Sequence, residues 1–316
     1  MVKIGSLFLF LLLLLLLLLL LLLTPTCNGR STKSRHSSKN YVAFFIFGDS
    51  FLDAGNNNYI NTSTLDQANF WPYGETYFKF PTGRFSDGRL VVDFIAEYAE
   101  LPLIPPFLQP GFRQYYAGVN FASAGAGVLV ETFQGAVRQI RLVFSLCALQ
   151  IWQEIYARGG RKFGFMNLPT FGCFPGIRIV KPSNNGSCLQ EALTLSKLHN
   201  QALSKLLIKL GKKLEGFKYS LYDLNSNIRH RINHPSKYGF QEGNAACCGT
   251  GQLGGVFSCG GKRLVKEFHV CENPKEYVFW DSYHLTEEVY KQFADQMWRG
   301  TGKYVRPYNL KDLFQS

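Results

Sequence analysis

The amino-acid sequence predicts an α/β protein built around a mainly parallel sheet. Three observations carry that expectation. Residues 41–47 (YVAFFIF) form an unbroken apolar β-type run ending at Gly48, the pattern of a central parallel strand buried on both faces. Shorter apolar runs recur at residues 161–166 (RKFGFM), 217–224 (FKYSLYDL) and 277–280 (YVFW). Between them lie stretches with helical spacing, Leu195, Leu198, Ala202 and Leu206 in one and Val289, Phe293 and Met297 in another.

The chain has 316 residues, 46% hydrophobic, 15% aromatic and 18% charged, which suits one large globular domain over residues 41–316. The N-terminus is separate in character. Lys3 precedes a 17-residue apolar run, residues 7–23, followed by Thr24, Pro25, Thr26 and Cys27. A positive start, a long apolar stretch and small residues describe a secretory signal peptide over residues 1–29. An uncleaved anchor is the competing reading. Arg30, Lys33, Arg35 and Lys39 would then hold the downstream chain in the cytoplasm, a topology that the cysteines and sequons below oppose. Residues 30–40 (RSTKSRHSSKN) are polar and basic and read as a disordered lead-in.

From Tyr41 the elements follow in order. The first strand enters a Gly-Asp-Ser turn at Gly48, Asp49 and Ser50. The leucine-spaced helix precedes the strand at residues 217–224, and the glycine- and cysteine-rich stretch 243–261 reads as a loop. The last strand leads to a helix that begins after Thr286, with Glu287 and Glu288 in the first turn, where the helix dipole favours acids. No 20–50-residue period repeats.

Eight cysteines occur, at positions 27, 147, 173, 188, 247, 248, 259 and 271. Two loop-like clusters, 173/188 and 247/248/259/271, suit disulfides in an oxidising compartment, with the pairing left open. No CxxC pair exists and the histidines are scattered, so neither a metal nor another cofactor is expected. Sequons begin at Asn61 and Asn185. The formal charge of +12 is compatible with acidic polysaccharides or anionic membranes as partners, and is read in preference as a solvated basic surface. Nothing resembling a nucleic-acid-binding stripe accompanies it.

Chemistry concentrates at two places. Ser50 lies just beyond a central strand, where open α/β sheets place ligands, with its amide free at the start of the next helix to face an oxyanion. Far along the chain, Asp281 and His284 stand three residues apart between a strand and a helix. In one turn such a pair can bring carboxylate to imidazole and leave the other ring nitrogen for a serine. Alone, each motif is weak: turns favour Gly-Asp-Ser, and an isolated Asp-x-x-His is more often a helix cap with a surface histidine. Asp49 and Asp53 are expected to hold the turn. His199, His230, His234 and His269 have no carboxylate at a recognisable spacing. A common α/β-hydrolase would carry GxSxG, but residues 121–125 read FASAG, and phosphate loops and zinc-hydrolase helices are absent.

Together the segments FGDSFLDAGNNNY, FPTGRFSDGRLVVDFIAEY with LPLIPPFLQP, GVNFASAGAG, GGRKFGFMNLPTFGCFP and VFWDSYHLTEEVY resemble, in order, the blocks of the plant GDSL esterase/lipase family within the SGNH hydrolases. The resemblance implies a flavodoxin-like three-layer α/β/α fold. It also implies hydrolysis of carboxylic esters through an acyl-serine: Ser50 as nucleophile, His284 as base then acid, Asp281 as orienting acid, and the amides of Ser50 and Gly125 as oxyanion donors. The implied partner is an ester or lipid substrate, and the implied location the extracellular space or apoplast.

One block of the family is missing. Its third block, a strand ending in Gly-x-Asn-Asp, supplies an asparagine to the oxyanion hole, and no such motif occurs here. Gly127 and Gly159 lie only 32 positions apart, so the domain reads as internally shortened near residues 130–155, with one central strand missing or substituted. The apolar segment 140–149 (IRLVFSLCAL) is the candidate substitute, as a strand or as the start of a helix. Two readings follow: a secreted serine esterase or lipase with impaired activity, or a non-catalytic secreted acyl- or glycan-binding protein. An aberrant splice or gene model is a third source of such a chain.

Overall fold

The computed structural model describes residues 42–62, 64–126, 153–180 and 186–316. The signal peptide and lead-in expected over residues 1–40, the substitute segment 140–149, Cys147 and Asn185 lie outside them.

The architecture is α/β, as the strand and helix patterns predict. Strand β1 (Phe44–Ile46) pairs in parallel with β2 (Gly118–Asn120), with Phe44 opposite Gly118. Strand β3 (Lys162–Met166) pairs in parallel with β4 (Lys218–Tyr222), whose other edge carries antiparallel β9 (Val305–Pro307). Between β4 and β9 in sequence, β5 (Glu242–Ala246) runs parallel to β8 (Tyr277–Phe279), and β6 (Cys248–Gly249) runs antiparallel to β7 (His269–Val270). The stretch read as a loop over 243–261 therefore contains most of β5 and all of β6. Its glycines and cysteines hid them: β6 contains the disulfide-bonded Cys248, and β5 ends beside the disulfide-bonded Cys247.

The helices that accompany the strands among the described residues include α1 (Val91–Tyr98), α2 (Gln190–Lys213), α3 (Leu224–Asn233), α4 (Glu287–Arg299) and α5 (Leu310–Gln315). Helix α4 follows its apolar stripe closely: Val289, Phe293 and Met297 are all buried. It lies against α1, with Tyr98 and Trp298 rings 6.1 Å apart, and shares the main core with Tyr222, Val278 and Phe279.

The long helix α2 buries a different stripe from the expected one. Leu198 and Ala202 are exposed, while Ser196, Leu203, Leu207 and Leu210 face inward. The leucines at 203, 207 and 210 pack with Phe217 and Leu221 in a satellite core. Both stripes have helical period, and the position of β4 selects between them.

Strand β1 is also less enclosed than predicted. Ile46 is buried, but Phe45 and Phe47 are each 51% exposed. Successive strand residues face opposite sides, and only the Phe44/Ile46 side meets the main core. On the other side Phe47 stacks on Phe121 at 5.2 Å, and no described strand joins β1 to β3.

The six described cysteines form three disulfides, Cys173–Cys188, Cys247–Cys271 and Cys248–Cys259. Among the described residues, no helix is long and apolar enough to cross a membrane, and no group of three or more potential ligands could hold a metal ion.

Candidate active site

The C-terminal end of β1 and the turn after β8 deliver the two halves of the site. Gly48 leads into a tight turn in which the Asp49 carboxylate accepts the Phe51 amide at 3.0 Å and the Asp49 carbonyl accepts the amides of Leu52 and Asp53. These bonds fix Ser50 at the apex. Asp53 is fully buried, and its carboxylate accepts the amides of Gly55 (2.7 Å), Asn56 (2.6 Å) and Ala124 (3.0 Å). Burial raises its pKa while those amides pull the other way. Asp53 thus ties the turn after β1 to the turn after β2, as expected of a residue that holds geometry.

On the other side, Asp281 Oδ1 accepts the amides of Tyr283 and His284, each at 2.9 Å. That local turn carries the His284 ring back onto the same carboxylate, with Nδ1 2.8 Å from Oδ1 and 3.0 Å from Oδ2. The other ring nitrogen, Nε2, lies 2.8 Å from Ser50 Oγ across 234 positions of sequence. Asp281 is fully buried and His284 is 4% exposed. Phe85 flanks the imidazole at 4.6 Å, Phe51 at 5.8 Å and Phe257 at 6.3 Å. An aromatic collar leaves the ring little room to rotate.

Two residues that sequence reasoning missed complete the acid's surroundings. Tyr73 donates its hydroxyl to Asp281 Oδ2 at 2.7 Å and accepts from Arg263 Nη2 at 3.0 Å. Arg263 is 2% exposed and lies 3.8 Å above the Phe257 ring. Burial, then the Asp281 charge, push the Tyr73 phenol well above its ordinary pKa, so it stays a donor. Burial alone would raise the Asp281 carboxyl. The facing imidazole, the Arg263 charge and the Tyr73 hydroxyl outweigh it and hold that carboxyl below the usual carboxylate range. Tyr73 and Arg263 lie 190 positions apart, and neither sits in a spacing that marks a site. The one available signal was an arginine two residues beyond the glycine- and cysteine-rich stretch.

The asparagine run at 56–58 acts as a staple. Asn56 Nδ2 donates to the carbonyls of Asn120 and Ala122, Asn57 Nδ2 donates to the Ala124 carbonyl, and Asn57 Oδ1 accepts the Ser123 hydroxyl at 2.6 Å. Gly125 sits at the end of this braced segment with φ at 78°, a conformation that favours glycine. Among the described residues, neither the Ser50 nor the Gly125 amide donates to another group. Side-chain amides of Asn56, Asn57, Asn120 and Asn167 are all committed to carbonyls or, for Asn167, to the Asp223 carboxylate. Of the two sequons, Asn61 is exposed. His199 is held near a pKa of about 4 by burial. His269 is exposed with Glu267 4.0 Å away.

A hydroxyl, an imidazole and a buried carboxylate in one hydrogen-bonded line, at the strand ends of an α/β frame, define the serine-hydrolase type of site. The GDSL-like lipase/acylhydrolase family model matches residues 44–145 and 128–297, and the chain belongs to that family. It is 50% identical to GDSL esterase/lipase 5 of Arabidopsis thaliana, over 90% of this chain and 91% of that one. It is 43% identical to a GDSL lipase of Tanacetum cinerariifolium, over 88% of this chain and 89% of the relative. A more distant relative, "Inactive GDSL esterase/lipase-like protein 25" of Arabidopsis thaliana, is 33% identical over 85% of this chain and 74% of its own. The first two alignments run over 349 and 332 residues, beyond the 316 of this chain, so both relatives contain residues with no counterpart here.

Proposed function

We propose that this chain is a secreted serine esterase or lipase that cleaves carboxylic esters through an acyl-serine intermediate, at a rate lowered by its missing third block. The observation that carries the reading is the unbroken line Ser50 Oγ, His284 Nε2, His284 Nδ1, Asp281, with both inner contacts at 2.8 Å. Ser50 attacks the ester carbonyl carbon as Nε2 takes its proton, forming a tetrahedral oxyanion. Collapse breaks the bond to the alcohol, which leaves with the proton from His284. Water then repeats the sequence on the acyl-serine, releasing the acid and restoring the Ser50 hydroxyl. Asp281 keeps Nδ1 protonated and the ring aimed.

The amides of Ser50 and Gly125 are the two oxyanion donors in this reading. The family's third donor, an asparagine, has no counterpart in the sequence, and loss of one such donor typically lowers turnover about 10²–10³-fold. Activated esters with good leaving groups need less oxyanion stabilisation and are the expected substrates. Relatives longer than this chain and the half-exposed face of β1 support a shortening near residues 130–155. Three disulfides, the leucine-rich N-terminus and the exposed Asn61 support secretion, with glycan on Asn61 or Asn185.

The same half-exposed aromatics, Phe45 and Phe47, favour one alternative, a protein that binds acyl or glycan ligands without turnover. A fluorophosphonate probe separates the two. Labelling of Ser50 that disappears in Ser50→Ala supports the hydrolase. A folded protein that stays unlabelled, or labels equally after substitution, refutes it.

A further inference from the structure

The segment between Cys259 and Cys271 is built as a rigid pedestal. Its two ends are bonded to adjacent residues, Cys259 to Cys248 and Cys271 to Cys247. Arg263 pins it from within: Nη1 donates to the Cys259 carbonyl at 2.6 Å and Nη2 to the Gln67 carbonyl at 3.1 Å. A side chain at Gly260 would strike the Phe70 ring and the Trp71 carbonyl, each at 2.6 Å, so the base sits flush on the 70–71 turn. A side chain at Gly261 would lie 3.0 Å from the Lys266 carbonyl, so residues 262–265 form a closed tip.

What this pedestal displays is apolar. Leu264 is 92% exposed, more than any other large hydrophobic residue among the described ones, and Val265 beside it is 41% exposed. Trp71, 59% exposed, lies with its ring 6.0 Å from Phe268 at the base. Lys262 and Lys266 flank the tip and are exposed, while the acid of this segment, Glu267, faces His269. An exposed leucine on a loose loop signifies little. A leucine at the tip of a segment cross-linked at both ends, with a cation on each side, needs less backbone ordering when it meets a partner.

We propose that the tip at residues 262–265 docks the protein on an anionic phospholipid surface. Leu264 and Val265 enter the acyl boundary, Trp71 sits at headgroup level, and Lys262 and Lys266 meet phosphates and carboxylates. The alternation of cation and aliphatic selects this occupant. An acidic polysaccharide would use the lysines and leave Leu264 idle, and a neutral apolar groove would leave the lysines unmatched. Docking does not depend on the esterase reading. Arg263, next to Leu264, is the residue that reaches Asp281 through Tyr73, so a docked tip would hold the Ser50 site close to the surface.

The test uses the full secreted chain carrying Ser50→Ala, so that hydrolysis cannot alter the lipid. Flotation with phosphatidylserine-containing and pure phosphatidylcholine vesicles should show binding to the former. Leu264→Asp should weaken it about tenfold or more, and Lys262→Ala or Lys266→Ala about fivefold each, with the melting temperature unchanged because all three side chains are exposed. In Leu264→Trp, emission should shift to the blue on adding anionic vesicles. Equal binding by Leu264→Asp and its parent overturns the proposal, as does absence of binding to anionic vesicles. Binding to polygalacturonate that survives Leu264→Asp, with no vesicle binding, reassigns the tip to a polysaccharide and overturns it too.

Discussion

Replacing Tyr73 with Phe removes a single oxygen from the core and tests the electrostatics around the acid. That hydroxyl donates to Asp281 Oδ2 at 2.7 Å and accepts from Arg263 at 3.0 Å. A hydrogen bond to a charged group contributes about 1.5–3 kcal/mol. A loss near 2 kcal/mol lowers the melting temperature of a domain this size by about 4–8 °C. The loss should depend on pH. The folded-state pKa of Asp281 lies below its unfolded value, so the ionised carboxylate adds stability above about pH 4 that is lost as pH falls through the folded pKa. Tyr73→Phe raises the folded-state value, because burial, the largest influence, then meets less opposition. The gap between parent and variant should therefore be widest at neutral pH and narrow as pH falls through the folded-state values and both carboxyls become protonated. Turnover should fall only about tenfold, since Asp281 keeps its amide donors and both contacts to the imidazole. Urea unfolding at neutral and acidic pH, with ester assays alongside, measures all three. No stability loss, or a gap that does not change with pH, would refute the role given to the Tyr73 hydroxyl.

Asp281→Asn should lower turnover about 10⁴-fold by favouring the wrong imidazole tautomer; steady-state assays giving less than a tenfold loss would count against the proposed roles. Inserting a relative's Gly-x-Asn-Asp strand and its flanks between Gln139 and Gln150 should raise both melting temperature and turnover, the latter by about 10²-fold. An unmodified chain that already matches the restored one would show the block to be dispensable. Expressed in a plant secretory system, the protein should lose its leucine-rich start and carry glycan on Asn61 or Asn185. N-terminal sequencing that returns Met1 on an unglycosylated product would contradict secretion.

Much of the frame is legible from local pattern, and its failures are instructive. The runs at 162–166, 218–222 and 277–279 are strands because short apolar segments bounded by turns have few other outcomes. Helix α4 follows its stripe because one face alone is apolar. Helix α2 carries leucines on more than one face, so its periodicity announces a helix without saying which face will dock. The strands β5 and β6 escape notice because glycine, alanine and cysteine stand where apolar alternation would mark a strand. An apolar run as dense as YVAFFIF implies cover on both faces, yet the described structure covers one.

For the site, the sequence determines which residues are chemically able to act and which pairs are local. Asp281 and His284 meet within one turn, which their three-residue spacing allows and the accompanying motif blocks single out from a helix cap. The order of the motif blocks likewise identifies the family, because several short patterns in fixed order constrain one another. Only the tertiary structure decides what closes over long separations. It brings Ser50 to within 2.8 Å of His284, sets Tyr73 and Arg263 behind the acid, and turns the asparagines after Ser50 into staples for the Gly125 segment. The physical reason is that side-chain contacts between distant segments depend on how strands and loops dock. Docking is the sum of many weak packing terms, and none of them leaves a periodic mark on the chain.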